Sequence, residues 1–240
     1  MDHPHDRPPR IEPTKEAIDA AANDPDLTRC RLHLAKFSAK QFWEAGTELH
    51  ALAGSIGSSG GLSPFGHGID ETVAVSMLLK IAGQLVSASA DLFTDGRHYA
   101  ASALLRQMVE IEYLAWAFET RDGDGERWLR SDQQERQEFF KPAKLRAAAQ
   151  GKFRGKDYGH HCELGGHPVP NAGLLLIGDS ATAQLLLSDL LGHVGNIWDH
   201  FANWERQGGN GGPMFRQSRD MFIRFQEWKS KDTLVDLPPP

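Results

Sequence analysis

An all-α fold, a single-domain bundle of about six to seven helices with extended tails, is what this 240-residue sequence predicts. Three observations carry that expectation. Apolar residues recur at three- and four-residue spacing through several long segments, the period of one helix face. No segment alternates apolar and polar residues as a half-buried strand would, and no internal repeat runs through the chain. Clusters of Gly, Pro, Asp and Ser punctuate the periodic segments and mark where each ends.

Residues 1–13 hold four prolines among histidines and charges and are expected to form a disordered tail. Thr14 is placed to cap a short helix to about Ala22, and Asp26 a longer one carrying Leu27, Cys30, Leu34, Phe37, Leu49 and Leu52. Gly54 to Gly68 is rich in Gly and Ser without charge, hence a flexible connection. It is no phosphate loop, because Ile69 and Asp70 stand where a Walker-type loop needs Lys and Ser or Thr. Asp70 reads as the cap of a helix from Glu71 to about Phe93, with Val73, Met77, Leu78, Ile81, Leu85, Ala88 and Leu92 as its stripe.

A helix from about Arg97 to Glu119 is apolar on most of its circumference and is expected at the centre. A charged stretch, Glu126 to Phe140, precedes a short helix that starts after Pro142 and ends near Gln150. Gly165, Gly166, Pro168 and Pro170 predict a loop. Beyond it Ser180 is placed to cap a long helix with Leu187, Leu190, Leu191, Val194, Ile197, Trp198 and Phe201 on one face. Gly208 to Pro213 separates that helix from a last one, Met214 to about Trp228, so the bundle domain spans 14–231 and a Pro-rich tail 232–240.

The formal charge of -6 argues against a general nucleic-acid coat. Locally the balance inverts: Lys141, Lys144, Arg146, Lys152, Arg154 and Lys156 follow one another with no acid between them, directly after an acidic block. Salt bridges between the two blocks are expected to neutralise much of that run. Cys30 and Cys162 lie far apart and no secretory leader opens the chain, which points to a reducing, cytoplasmic setting. No apolar stretch is long and uninterrupted enough to read as a membrane span.

Chemistry concentrates in Lys156 to Pro168, where Tyr158, His160, His161, Cys162, Glu163 and His167 gather nitrogen, sulfur and oxygen donors. The Gly165-Gly166 pair separates His167 from the rest, no second ligand half follows, and no Glu-x-x-His occurs. No metal ligand and no cofactor are therefore assigned, and a hydrogen-bonded loop anchor is the plainer reading. A Cys162 nucleophile paired with a neighbouring histidine is the other chemical alternative.

In the central helix, Arg106, Glu110 and Tyr113 share a strip, whereas Glu112 falls in line with Leu105, Val109 and Trp116. A carboxylate on an apolar face must find partners from another helix. These residues form either an internal polar network or, with Tyr158 to His167, the wall of a polar pocket. His193, Asn196, His200 and Asn203 repeat at helical spacing and read as a solvated face, of interest only if it turned toward His167 or Glu110.

Leu104-Leu105-Arg106-x-x-x-Glu110, the Phe139-Phe140-Lys141-Pro142 junction, and Tyr158 followed by His161, Cys162 and His167-Pro168 together resemble an uncharacterised all-helical bacterial family, over roughly 97–200. That family looks similar to the HEPN helical bundles, several of which are ribonucleases or anti-phage and toxin modules. The resemblance implies a metal-independent ribonuclease in which Arg154 grips the scissile phosphate, His160 or His161 exchanges a proton, and Lys152 and Lys156 position RNA along 141–156. It also implies a homodimer. The alternative is a non-catalytic ligand- or partner-binding bundle whose Arg106, Glu110, Glu112, Tyr158, Glu163 and His167 are structural, and a third reading is a metal-dependent hydrolase.

Overall fold

The computed structural model describes residues 14–59, 68–153, 155–176, 180–209 and 211–235. The predicted tail 1–13 and residues 236–240 of the other lie outside them, as does Arg154. Of the described residues 85% are helical and none forms a strand, so the fold is all-α. The helices are α1 (Lys15–Asn23), α2 (Pro25–Ser59), α3 (Ile69–Thr94), α4 (His98–Thr120), α5 (Asp124–Arg130), α6 (Gln133–Phe139), α7 (Pro142–Ala148), α8 (Gly155–His161), α9 (Ser180–Gln207) and α10 (Pro213–Lys231). A π-helical turn, Cys162–Gly166, and a 3-10 turn, Pro170–Leu175, join α8 to α9.

The expected six to seven helices undercount because the region after α4 is cut into short pieces. Gly123 in the left-handed region starts α5, Asp132 caps α6 through a 2.8 Å bond from the Glu135 amide, and Pro142 opens α7. The loop expected from Gly165 starts slightly later, because the π-turn carries helix through Gly166. Helix starts also shift by a residue or two. Asp24, not Asp26, caps α2 by accepting from the amides of Asp26 and Leu27, and Gly68 rather than Asp70 precedes α3. Thr14 caps α1 as expected. α2 continues to Ser59, so the first part of the expected flexible connection is helix.

α2 and α3 form the longest contact in the molecule, an antiparallel pair packed through small residues. A Cβ on Gly46 would stand 2.9 Å from the Ser76 carbonyl oxygen, and one on Gly83 2.9 Å from that of Ala39, so the two backbones meet where only hydrogen fits. α4 lies against α3 and α9, with Leu105, Met108, Val109 and Ala115 buried on several sides, as a central helix requires. α3 is the one helix among the described residues long and apolar enough to cross a membrane, and 56% of its most apolar window is buried inside the bundle.

One buried charge ties the ends of the chain to this core. Arg31, fully buried on α2, donates to both Asp232 oxygens at 2.6 and 2.8 Å, to Gln184 at 2.7 Å and to the Ala21 carbonyl at 3.2 Å. Asp232 also accepts from Trp228 Nε1 and the Leu234 amide. α1, α2, α9 and the end of α10 therefore meet at one guanidinium, and Asp232 and Leu234, expected in the C-terminal tail, are buried. Burial alone raises the Asp232 pKa, but the hydrogen bonds and charge of Arg31, with those of Leu234 and Trp228, bring the net value below the usual 3.8.

Removing one partner of a buried ion pair leaves the other uncompensated, at about 3–5 kcal/mol. Arg31→Met is expected to lower unfolding free energy by about that amount in urea at pH 7. Because the Asp232 pKa is depressed, the wild-type pair contributes above the aspartate range and is lost as pH falls below it, so the gap between the two proteins narrows there.

Candidate functional site

α4 and α9 run parallel, and their seam carries the same polar unit twice. Glu112 accepts from Asn196 Nδ2 at 3.0 Å and pairs with His193 Nδ1; one heptad on, Glu119 accepts from Asn203 Nδ2 at 2.8 Å and pairs with His200 Nδ1. A seven-residue step returns each residue to the same helix face, which is why both units face the partner helix. Glu112, 5% exposed, thus finds the partners its place on an apolar face demands. The His193 to Asn203 strip, expected to be solvated, lines the edge of a helix interface with Asn196 exposed, and it faces Glu112 and Glu119 rather than His167 or Glu110.

The carboxylate fixes the histidine. In the tautomer that directs Nδ1–H at Glu112, the His193 ring carries its lone pair on Nε2. That nitrogen lies 3.7 Å from Oδ1 of Asp189, one turn earlier on α9, and the ring meets His161 edge-on with centroids 5.3 Å apart. His161 Nε2 is 3.3 Å from the other Asp189 oxygen. One ligand atom from each of His161, Asp189 and His193 lies within 4.8 Å of the other two. Ligands at 2.0–2.2 Å around a tetrahedral zinc stand roughly 3.4 Å apart, so the group is nearly at ligating separation.

His161 is 1% exposed and neither of its ring nitrogens makes a hydrogen bond. Burial, then the facing imidazoles of His193 and His160, drives its pKa down to about 3, despite the Asp189 carboxylate nearby. It is therefore neutral near pH 7, the form a metal needs. The π-turn that begins at Cys162 widens the helix directly after His161, closing with a bond from the His167 amide to the Cys162 carbonyl at 3.1 Å.

A second cluster sits on α4, one strip away. Tyr158 on α8 donates to Glu110 at 2.9 Å and accepts from Arg106 at 3.2 Å, and Arg106 lies 3.4 Å from Glu110. The Arg106 and Arg146 guanidiniums lie 5.6 and 4.5 Å from the Tyr158 ring centroid. The pocket expected from Arg106, Glu110, Glu112 and Tyr158 to His167 thus divides. Arg106, Glu110 and Tyr158 converge on one side, Glu112 and His161 on the other. His160 is half-buried beside His161, whereas Glu163 and His167 are exposed and join neither cluster. Lys152 is exposed and, with Phe153, borders a cavity of about 350 Å³ along Glu112, Glu119, Asn196 and His200. The Lys156 side chain lies outside the described residues.

No metal ligand was expected from the sequence; His161, Asp189 and His193, the last two from α9, form a group that could hold a metal ion. Asp189-x-x-x-His193 is an i,i+4 pair on one helix face, the signal through which this half of the site was legible in the sequence. What hid it is separation: His161 and Asp189 belong to segments joined by turns whose path the sequence does not set.

The His161 ring is expected not to titrate between pH 5 and 8 in NMR, unlike an exposed histidine. Since the unfolded ring takes up a proton near 6.5 and the folded one only near 3, stability falls as pH drops through that interval, and His161→Gln removes this part of the slope. Denaturation midpoints of both proteins at pH 4.5 and 7.5 measure it.

Comparison with protein-family models, with curated proteins and with solved structures finds no match to this chain.

Proposed function

We propose that the chain is a metal-dependent hydrolase in which His161, Asp189 and His193 hold one divalent transition metal. The observation that carries the reading is the convergence of two imidazoles and a carboxylate, ligand atoms within 4.8 Å of one another, from elements distant in sequence. Three protein ligands leave positions for water and substrate, the arrangement of catalytic rather than structural zinc sites. Two nitrogens and one oxygen suit zinc or ferrous iron.

Support comes also from the surroundings. Glu112 behind His193 forms the carboxylate–histidine–metal relay that fixes tautomer and ring orientation. The side chains of Asp189 and His193 are 19% and 15% exposed, so solvent approaches from the α9 side while buried His161 holds the other. A zinc ion held by His161, Asp189 and His193 would bring the pKa of a bound water toward 7 and so supply the nucleophile of a hydrolysis, whose leaving group would take up the proton released.

The metal-independent ribonuclease asks more of histidine. A general acid–base couple works best with a pKa near the working pH, and His161 is neutral down to about 3. His161 does not meet that requirement, and on this ground we prefer the metal reading.

Cobalt(II) titrated into chelator-treated protein is expected to give one equivalent with d–d absorption bands of low coordination number. His161→Ala, Asp189→Asn and His193→Ala should each abolish stoichiometric binding, and Glu112→Gln should weaken it about 10–100-fold. Hydrolysis of p-nitrophenyl esters should need the metal. Failure of zinc, cobalt, manganese and ferrous iron all to bind sinks the proposal; binding without turnover across the ester panel returns the chain to a non-catalytic bundle.

A further inference from the structure

We infer that the groove between α9 and α10 is a binding site for an amphiphilic carboxylate, an apolar body that carries one acid head. The groove shares no lining residue with the His161, Asp189 and His193 group, and the inference does not depend on the hydrolase reading.

The two helices run antiparallel. Glu205 accepts from the Met214 and Phe215 amides, Trp198 Nε1 donates to Ser218 Oγ at 3.4 Å, and the Phe225 ring lies so close to Gly195 that a Cβ there would stand 3.1 Å from it. Between them runs a groove of about 390 Å³. Its floor is Trp198, Ala202, Met221 and Phe225, all buried, and Phe222, 64% exposed, forms a wall. From Gly195 to Arg206 the α9 side is about 16 Å long. The polar groups of the floor are already satisfied: the Trp198 indole is tied to Ser218, whose hydroxyl donates to the Met214 carbonyl at 2.6 Å. An apolar body laid there strands no donor.

Three cations rim this floor. Arg206 comes from the last turn of α9, Arg219 from the second turn of α10, and Lys229 from near the end of α10. Asp199 is the one carboxylate among the lining residues; Lys229 and Arg206 act on it through space without pairing with it. Three cations against one carboxylate leave an excess of two positive charges on the rim. Unpaired cations alone do not make a site. The basic run, too, lacks the partners expected for it: Arg127 meets Glu135 at 2.6 Å, Arg130 meets Glu126 at 2.7 Å and Arg121 meets Asp124 at 2.7 Å, and among the described residues no ion pair joins that acidic block to Lys141, Lys144, Arg146 or Lys152. What distinguishes the groove is that its cations border a continuous, buried apolar floor.

Size and charge together select the occupant. A helix of groove length and about 10 Å diameter fills roughly 1,200 Å³, roughly three times the space, so a partner helix would sit on the groove rather than in it. Small-molecule sites span about 300–1,000 Å³, a range that includes this volume. A purely apolar ligand leaves the cations unused, and a small inorganic anion leaves the floor bare. A molecule with both parts uses both. Arg206 and Arg219 stand toward the loop that joins the helices, where their guanidinium forks match a carboxylate. The apolar body then lies along Ala202, Trp198 and Phe225 toward Lys229, and covers the exposed face of Phe222.

The test uses the full chain after chelator treatment, so that no metal can hold the acid head. Dodecanoate below its micellar range is titrated calorimetrically, and saturable binding of one equivalent is expected. Dodecyltrimethylammonium, the same body with the opposite head, should bind about tenfold more weakly or worse, and acetate, the head alone, should not saturate. Joint Arg206→Gln and Arg219→Gln substitution, at two exposed side chains, should weaken dodecanoate binding about tenfold or more with native circular dichroism. Ala202→Phe, which fills the floor, should abolish it; if that variant does not fold, the arginine pair still decides. Absence of saturable dodecanoate binding, equal affinity for the two heads, or affinity unchanged in the double glutamine variant overturns the inference. Phe215 and Ile223, 53% and 50% exposed on the same helix, lie outside the groove. Co-sedimentation with phosphatidylglycerol vesicles without dodecanoate binding therefore also overturns it, and assigns α10 to an anionic lipid surface.

Discussion

Two carboxylates on the central helix govern this molecule. Glu112 and Glu119 stand where α4 is otherwise apolar, and a charged group without partners at such a depth costs several kcal/mol. His193 with Asn196, and His200 with Asn203, satisfy them one heptad apart. Both units must be in register together, so a slide of α9 by one turn would strand four polar side chains at once. Apolar ridges tolerate several registers at similar energy; a doubled polar ladder tolerates one. Parallel alignment of α4 and α9 is what that ladder demands, and the short helices and turns between them supply the return path.

The same bonds prepare chemistry. An imidazole whose Nδ1 is committed to a carboxylate presents Nε2, and on α9 that nitrogen meets Asp189 and the buried His161. His161 in turn is held by α8 and the π-turn, which rest on α4. The convergence of His161, Asp189 and His193 is therefore a consequence of how α4 is neutralised, and Glu112 already orients the His193 ring. Tyr158 couples the neighbouring strip to this frame by bonding both Arg106 and Glu110.

Away from the site, Arg31 performs a comparable task for the chain ends. One guanidinium with all its bonds directed inward joins α1, α2, α9 and the residues after α10. Glu205, likewise fully buried, accepts from the amides of Met214 and Phe215 and so closes the first turn of α10. Buried polar groups thus recur at the junctions of helices, where they select one arrangement among those the apolar surfaces allow.

The sequence by itself determined the helical class, the long helices and much of their bounds, the centrality of α4, and that Glu112 would need partners from another helix. Those follow from periodicity, capping and the cost of buried charge, all local. It also suggested the wrong company for several residues. His167 is exposed, and His193 and His200 meet carboxylates, because whether a polar strip meets water or a carboxylate depends on which helix packs against it. Only the tertiary structure decided that Asp189 and His193 join His161, and that Arg146 joins Arg106 at Tyr158. The turns between α7 and α9 set those encounters, and the energies of turn residues are too small and too alike for sequence spacing to fix their path.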